Sequence, residues 1–388
     1  MTARHNHRAI QAPRRQRGMS LVEIMVAVLI GLIGMVVIFQ MFALSESRKR
    51  TISAGSDMDV SGRLGLIALQ RDVQLAGYGY GQAASPTATG SAPAMGCAVT
   101  AFDSGRPGGS QDFSFTLAPV NIAVGASGAP DTISVLQGSS NALVVGKTID
   151  QSGTDSKRIK ADTGGRVGLE KGDVVVAVTA SPSLACALIE ITDNSNTDQV
   201  TLNHITGNYV NSAGQSRTAR FNKSGGVAFT LTGDGKLYSL GPTPRLNIWS
   251  IVNSKLVVAN GLGYVDANSD SANDTLETAD GIINLKAQYG YDTNNDGLIA
   301  TSEWTTTAPT VWSRVLAVRV AILARGQFER NPVTTTAPSW TGGAFVMTDV
   351  DGTSDSNETG SANNWRHYRY NVYEAIIPLK NMIWGSKL

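Results

Sequence analysis

The chain has 388 residues, of which 42% are hydrophobic and 16% charged, with a formal net charge of +1. That length can bury a sizeable core in one large domain or two, and the wealth of Gly, Ser, Thr and Asn favours many turns between short strands. Five arginines and no acid fall within residues 1–18, which leaves a net −4 on residues 19–388; so mildly acidic a body gives no electrostatic reason for non-specific nucleic-acid binding, and no specific binding is expected.

The first element is the most informative. Ile24–Leu44 is apolar apart from Gln40 and carries no charge. As a helix it would be about 31 Å long, enough to cross the hydrocarbon core of a bilayer. The arginine-rich segment precedes it. Ser45-Glu46-Ser47-Arg48-Lys49-Arg50 follows it, three bases offset by an acid. The stronger positive bias keeps the N-terminus in the cytoplasm and exports the body. A secretory signal places small residues after its apolar run. Here Gly18 comes before the run and Glu23 sits just inside it. A carboxylate in lipid is costly and calls for a partner. On the residues alone, a plain signal anchor with an incidental Glu near the interface stays open.

Helical spacing continues past Leu44. Val60, Leu64 and Ile67 repeat at i, i+4, i+7, and Leu66, Leu69 and Val73 at i, i+3, i+7. Gly55, Gly62 and Gly65 argue against a rigid helix here, and Gly77-Tyr78-Gly79-Tyr80-Gly81 is the stop. The expectation is one helix over residues 19–76. Its segment 24–44 lies in membrane or filament core, and its second half packs an apolar face on the body.

Residues 77–388 read as strands rich in Val, Ile, Thr and Leu between Gly/Asn/Asp/Ser clusters. They are predicted at 112–124, 131–137, 142–149, 173–179, 184–192, 199–203, 227–231, 237–240, 246–258, 282–291, 315–324 and 368–378. The fold class is α+β: a long N-terminal hydrophobic helix on an enlarged β-rich globular domain. Cys97 and Cys186 are the two cysteines. In an exported body they are expected to form a disulfide, the alternative being two separate buried thiols.

One ligand motif stands out. Residues 292–303 match D-x-[DN]-x-[DN]-G-x5-E at every specified position. In that pattern Asp292, Asn294 and Asp296 converge around the turn at Gly297, the Leu298 carbonyl adds a ligand, and Glu303 closes the shell. Calcium in the weak extracellular range of ~10⁻⁴–10⁻³ M is the functional expectation; a solvated hairpin loop is the alternative. The acidic loops Asp266–Asp274 and Asp349–Asp355 lack the full pattern and read as solvated turns. His204 and His367 are the two histidines beyond residue 18, without metal-ligand spacing. With no P-loop, GxSxG, HExxH or dinucleotide fingerprint, an enzyme is not expected.

Arg15-Gln16-Arg17-Gly18-Met19-Ser20-Leu21-Val22-Glu23 resembles the type III leader of type IV prepilins and pseudopilins. The resemblance implies that a prepilin peptidase cuts between Gly18 and Met19 and methylates Met19. Glu23 then becomes the fifth mature residue and neutralises the N-terminal ammonium of a neighbouring subunit in the filament core. Two departures are Met19, where Phe is commoner, and Gln40, at the place of a helix-bending proline in many major pilins. Further on, Gly281–Gly290, Trp312–Arg325 and Tyr368–Asn381, with its Leu379-Lys380-Asn381 ending, resemble the PilW group of minor pilins. Membership implies a structural, not enzymatic, subunit of pilus assembly that acts in the initiation or tip complex and needs no cofactor. Its implied partners are the major pilin, other minor pilins, a large tip adhesin and the inner-membrane assembly platform. It would pass from the inner membrane, body periplasmic, to the filament. Two alternatives remain: a pseudopilin of type II secretion, and an uncut membrane-anchored envelope receptor or hydrolase.

Overall fold

The computed structural model describes residues 18–85, 93–107, 111–140, 145–162, 168–179, 183–194, 200–231, 235–353 and 360–385. The expected leader therefore lies outside the described residues except for Gly18, as do residues 142–144 and 199 of two predicted strands.

The long helix runs Leu21–Gln74, within two residues of the expected bounds. The molecule divides into two compact units, one ending at Gly55 and one spanning Ser56–Leu388. In the first unit, the large apolar side chains of 19–44 are exposed, from Leu21 at 74% to Val37 at 49%. Leu21–Glu46 is long and apolar enough to cross a membrane, with mean hydropathy 2.9.

In the second unit the helix buries Met58, Gly62, Gly65, Leu69, Asp72 and Val73, a stripe at helical spacing, and Ala76 is buried just beyond its end. Two expectations change here. The Leu66, Leu69, Val73 face packs on the core, but Val60, Leu64 and Ile67 are exposed. The glycines explain which face wins. A Cβ at Gly62 would stand 2.1 Å from the Tyr373 ring, and one at Gly65 would stand 3.0 Å from Leu256 Cδ2. Bare backbone is what lets the helix approach, so residues that argued against a rigid helix are those that seat it.

The body consists mainly of three sheets. The eight-stranded sheet runs, in order, 112–116, 98–102, 185–190, 174–179, 236–241, 147–150, 158–161 and 201–203. Its central strand Val174–Thr179 is buried at every position, because both of its faces are covered. One face carries Val174, Val176 and Val178 into the main core with Leu69 and Val73 of the helix. The other carries Val175 and Ala177 into a second core with Ile159, Leu202 and Val227. The five-stranded sheet is ordered 275–280, 255–260, 245–252, 132–137, 120–123, and the four-stranded sheet 304–305, 282–291, 315–328, 368–378. Neighbouring strands are antiparallel except Ala98–Phe102 with Ala185–Glu190, which are parallel. Beside that parallel pair a disulfide joins Cys97 to Cys186, with Cα atoms 6.3 Å apart. Closing its 89-residue separation is worth about 4–5 kcal/mol in the chain-entropy account.

Three predicted strands are corrected. Residues 112–124 form two strands in different sheets, Asp112–Thr116 and Val120–Ala123, because Pro119 interrupts the run. Residues 246–258 form a hairpin, turned at Asn253-Ser254 with φ of 50° and 59°. Residues 227–231 are no strand but an irregular cover that buries Val227 and Leu231 in the second core.

Candidate functional site

Gly18 and Met19 lie just before the helix and are exposed. The first turn is closed by Glu23 N–H and Ile24 N–H donating to Ser20 O at 2.9 and 3.1 Å. Glu23 therefore sits in the first helical turn, where the positive end of the helix dipole favours a carboxylate. It is exposed on a helix that is apolar all round, so it is presented toward whatever covers that helix.

The body grips the second half of the helix at three places. Beside Gly62, Tyr373 Oη donates to Asp59 at 3.0 Å, and Arg63 forms an exposed ion pair with the same carboxylate at 2.9 Å. One turn from the end, buried Asp72 accepts hydrogen bonds from Gln137 Nε2 (2.7 Å), Asn247 Nδ2 (2.8 Å) and Trp249 Nε1 (2.6 Å). Burial pushes the Asp72 carboxyl up, against the pull of those three donors. At the stop, Asn381 Nδ2 donates to Ala76 O at 3.1 Å, and Met382 packs where a Gly77 side chain would stand. The Leu379-Lys380-Asn381 ending thus satisfies an orphan carbonyl beyond the helix end.

In the loop 292–303, Asp292 accepts from the N–H groups of Asp296 (3.2 Å) and Gly297 (2.8 Å). Asn294 accepts from Asp296 N–H, and Asp296 from Leu298 N–H. Glu303 reaches back across the loop to Thr293 and to Ala300 N–H. Those bonds, the Thr293 hydroxyl foremost, hold its carboxyl down to about 2. The side chains thus serve first to brace the turn. Among the described residues, no group of three or more His, Cys, Asp or Glu side chains is arranged to hold a metal.

Both body histidines are buried. His367 lies stacked on Phe328, with Nδ1 facing Glu329 O at 2.8 Å and Nε2 accepting Gly360 N–H at 3.1 Å. His204 is 2% exposed, its Nε2 has no partner, and burial lowers its pKa to about 4. Neither is paired with a nucleophile. Sequence reading missed the Asp72 cluster, since no local signal links residues 72, 137, 247 and 249; a lone acid on an otherwise apolar helical face was the only hint.

Two family models match this chain. The one described as Prokaryotic N-terminal methylation motif matches residues 13–39. The one described as Type IV Pilus-assembly protein W matches residues 254–381. No curated protein and no solved structure matches it.

Proposed function

The chain is a PilW-like minor pilin of the type IV pilus, and from that premise we propose that it works in the initiation or tip complex. Prepilin peptidase cuts between Gly18 and Met19 and methylates Met19, leaving Glu23 to meet the N-terminal ammonium of an adjacent subunit. The body is periplasmic before assembly and part of the filament afterwards. Its neighbours are the major pilin, other minor pilins and a tip adhesin, recruited at the inner-membrane assembly platform. The observation that carries this reading is the helix Leu21–Gln74. Its first half exposes apolar side chains on every face, while its second half is fixed to the body. An all-round apolar helix needs a lipid or protein cover. A Glu23→Ala variant in the native host tests the assembly role. It should be cut and methylated yet fail to co-purify with the other minor pilins, with surface pili reduced. Normal piliation with the variant as the sole copy would sink that role.

For the loop 292–303 we propose Ca²⁺ as ligand, supported by the complete spacing and by Asp292 and Glu303 being oriented within one braced turn. Calorimetric titration of the full chain should give binding near ~10⁻⁴–10⁻³ M, abolished in Glu303→Gln. Absence of heat at millimolar calcium would return the loop to a structural turn.

A further inference from the structure

Arg319 is a cation buried without an anion. It is 8% exposed and lies in the cross-strand row Gln288, Arg319, Ile376 of the four-stranded sheet, on the face opposite Val318 and Val320, which enter the main core. Its Nε donates to Gln288 Oε1 at 2.6 Å, and among the described residues no carboxylate stands at ion-pair distance from it. Neither Nη has a hydrogen-bond partner, yet neither is closed off from solvent. An arginine this deeply buried is ordinarily paired.

Two tryptophans from different parts of the chain fix the guanidinium. Its Cζ lies over the Trp304 ring at 4.8 Å and over the Trp340 ring at 5.3 Å. Bare backbone makes room for both rings. A Cβ at Gly290 would stand 3.2 Å from Trp304 Cη2, and one at Gly342 would stand 2.3 Å from Trp340 Cζ2. Trp340 belongs to the small hairpin of Ser339–Trp340 with Gly343–Ala344. Thr341 fastens that hairpin to the sheet, its N–H donating to Glu374 Oε2 at 2.9 Å and its hydroxyl to Glu374 Oε1 at 2.8 Å.

A cavity of about 240 Å³ adjoins this stack, lined by Arg319, Thr341, Glu374, Ala375 and Ile376. Thr341 and Glu374 are bonded to each other, and Ile376, 60% exposed, forms an apolar wall with Ala375. The guanidinium is therefore the group in this lining whose donors are unused. A planar cation fixed by packing, with free N–H groups beside an apolar wall, is preorganised for a carboxylate on an apolar body.

We propose that this cavity binds a small monocarboxylate with an apolar body. The carboxylate accepts from the free Nη donors of Arg319 as a bidentate pair, and the hydrocarbon lies against Ile376 and Ala375. Glu374 in the same lining disfavours a second negative charge, so monoanions are selected over dianions. This site does not depend on processing of the N-terminus or on filament assembly.

The test is a ligand-observed NMR titration of the full chain in detergent with isovalerate, with isovaleramide as its uncharged counterpart and succinate as a dianion. Isovalerate should bind saturably at millimolar concentration or below. Isovaleramide and succinate should each bind about tenfold more weakly or worse, a difference of about 1.4 kcal/mol. Arg319→Gln should weaken isovalerate about tenfold by removing the donors, and Ile376→Asp should do so by setting a carboxylate in the apolar wall. Ile376 is exposed, so its variant keeps the test valid should Arg319→Gln fail to fold. Absence of saturable isovalerate binding, equal binding of isovaleramide, or unchanged affinity in Ile376→Asp would overturn the proposal and leave Arg319 a packing residue.

Discussion

The two halves of the long helix differ in what covers them, and the difference lies in pattern rather than in propensity. Before Gly55 the apolar residues occupy every face, and no residue of the apolar span is buried. After Ser56 a single stripe is buried, and it contains two glycines and an aspartate. A helix without a polar face must be covered by something outside the body, whereas a striped helix is covered by the body itself. One helix thus carries an apolar surface left bare in the single chain and, beyond Ser56, a stripe packed on the body.

That contrast can be broken from the body side first. Gly62→Leu should have the largest effect, since even a Cβ there meets the Tyr373 ring. We expect a loss of about 3 kcal/mol or more in urea unfolding. Asp72→Ala should follow closely, because it leaves the buried donors of Gln137, Asn247 and Trp249 unsatisfied. About 3 kcal/mol is expected from that network, with Asp72→Asn intermediate because it keeps one acceptor. Destabilisation below the error of the measurement would mean that the second half is not held as described.

His204 gives a pH-dependent effect in the same unit. Its folded pKa, about 4, lies below the usual 6.5, so between those values the unfolded chain binds more protons and stability falls as pH falls. The full loss, reached below about pH 4, is about 3 kcal/mol. Burial of Asp72 acts in the opposite sense, since a raised carboxyl pKa favours the folded state as pH falls. The comparison must therefore be with His204→Phe, whose stability should fall less between pH 6.5 and 4. The smallest effect on stability belongs to the exposed face. Replacing Val60, Leu64 and Ile67 together by Ser should move stability by no more than about 0.5 kcal/mol per site. If assembly fails while stability holds, this face serves other subunits; a large loss of stability would show it packed on the body after all.

Much of this was legible in the sequence because it is written locally. The apolar run, the Gly18–Glu23 segment and the strands Ile282–Tyr291 and Tyr368–Pro378 declare themselves within a few residues, and the last two match their predicted bounds. What failed depends on distant partners. Val60, Leu64 and Ile67 have flawless helical spacing, yet the choice of buried face was made by Tyr373 and Leu256, far along the chain. The hairpin at Asn253-Ser254 was hidden because an Asn-Ser turn is a weaker signal than Asn-Gly. At the candidate site, Glu23 could be named from its neighbours, whereas the grip on Asp72 exists only once the sheets have assembled.

The most direct test of the central claim is intact-mass and N-terminal peptide mass spectrometry of the protein isolated from its native envelope. A chain that begins at N-methylated Met19 and contains Glu23 unmodified is expected. A chain still carrying residues 1–18 would contradict it and make the helix Leu21–Gln74 an uncut anchor rather than the stem of a pilin.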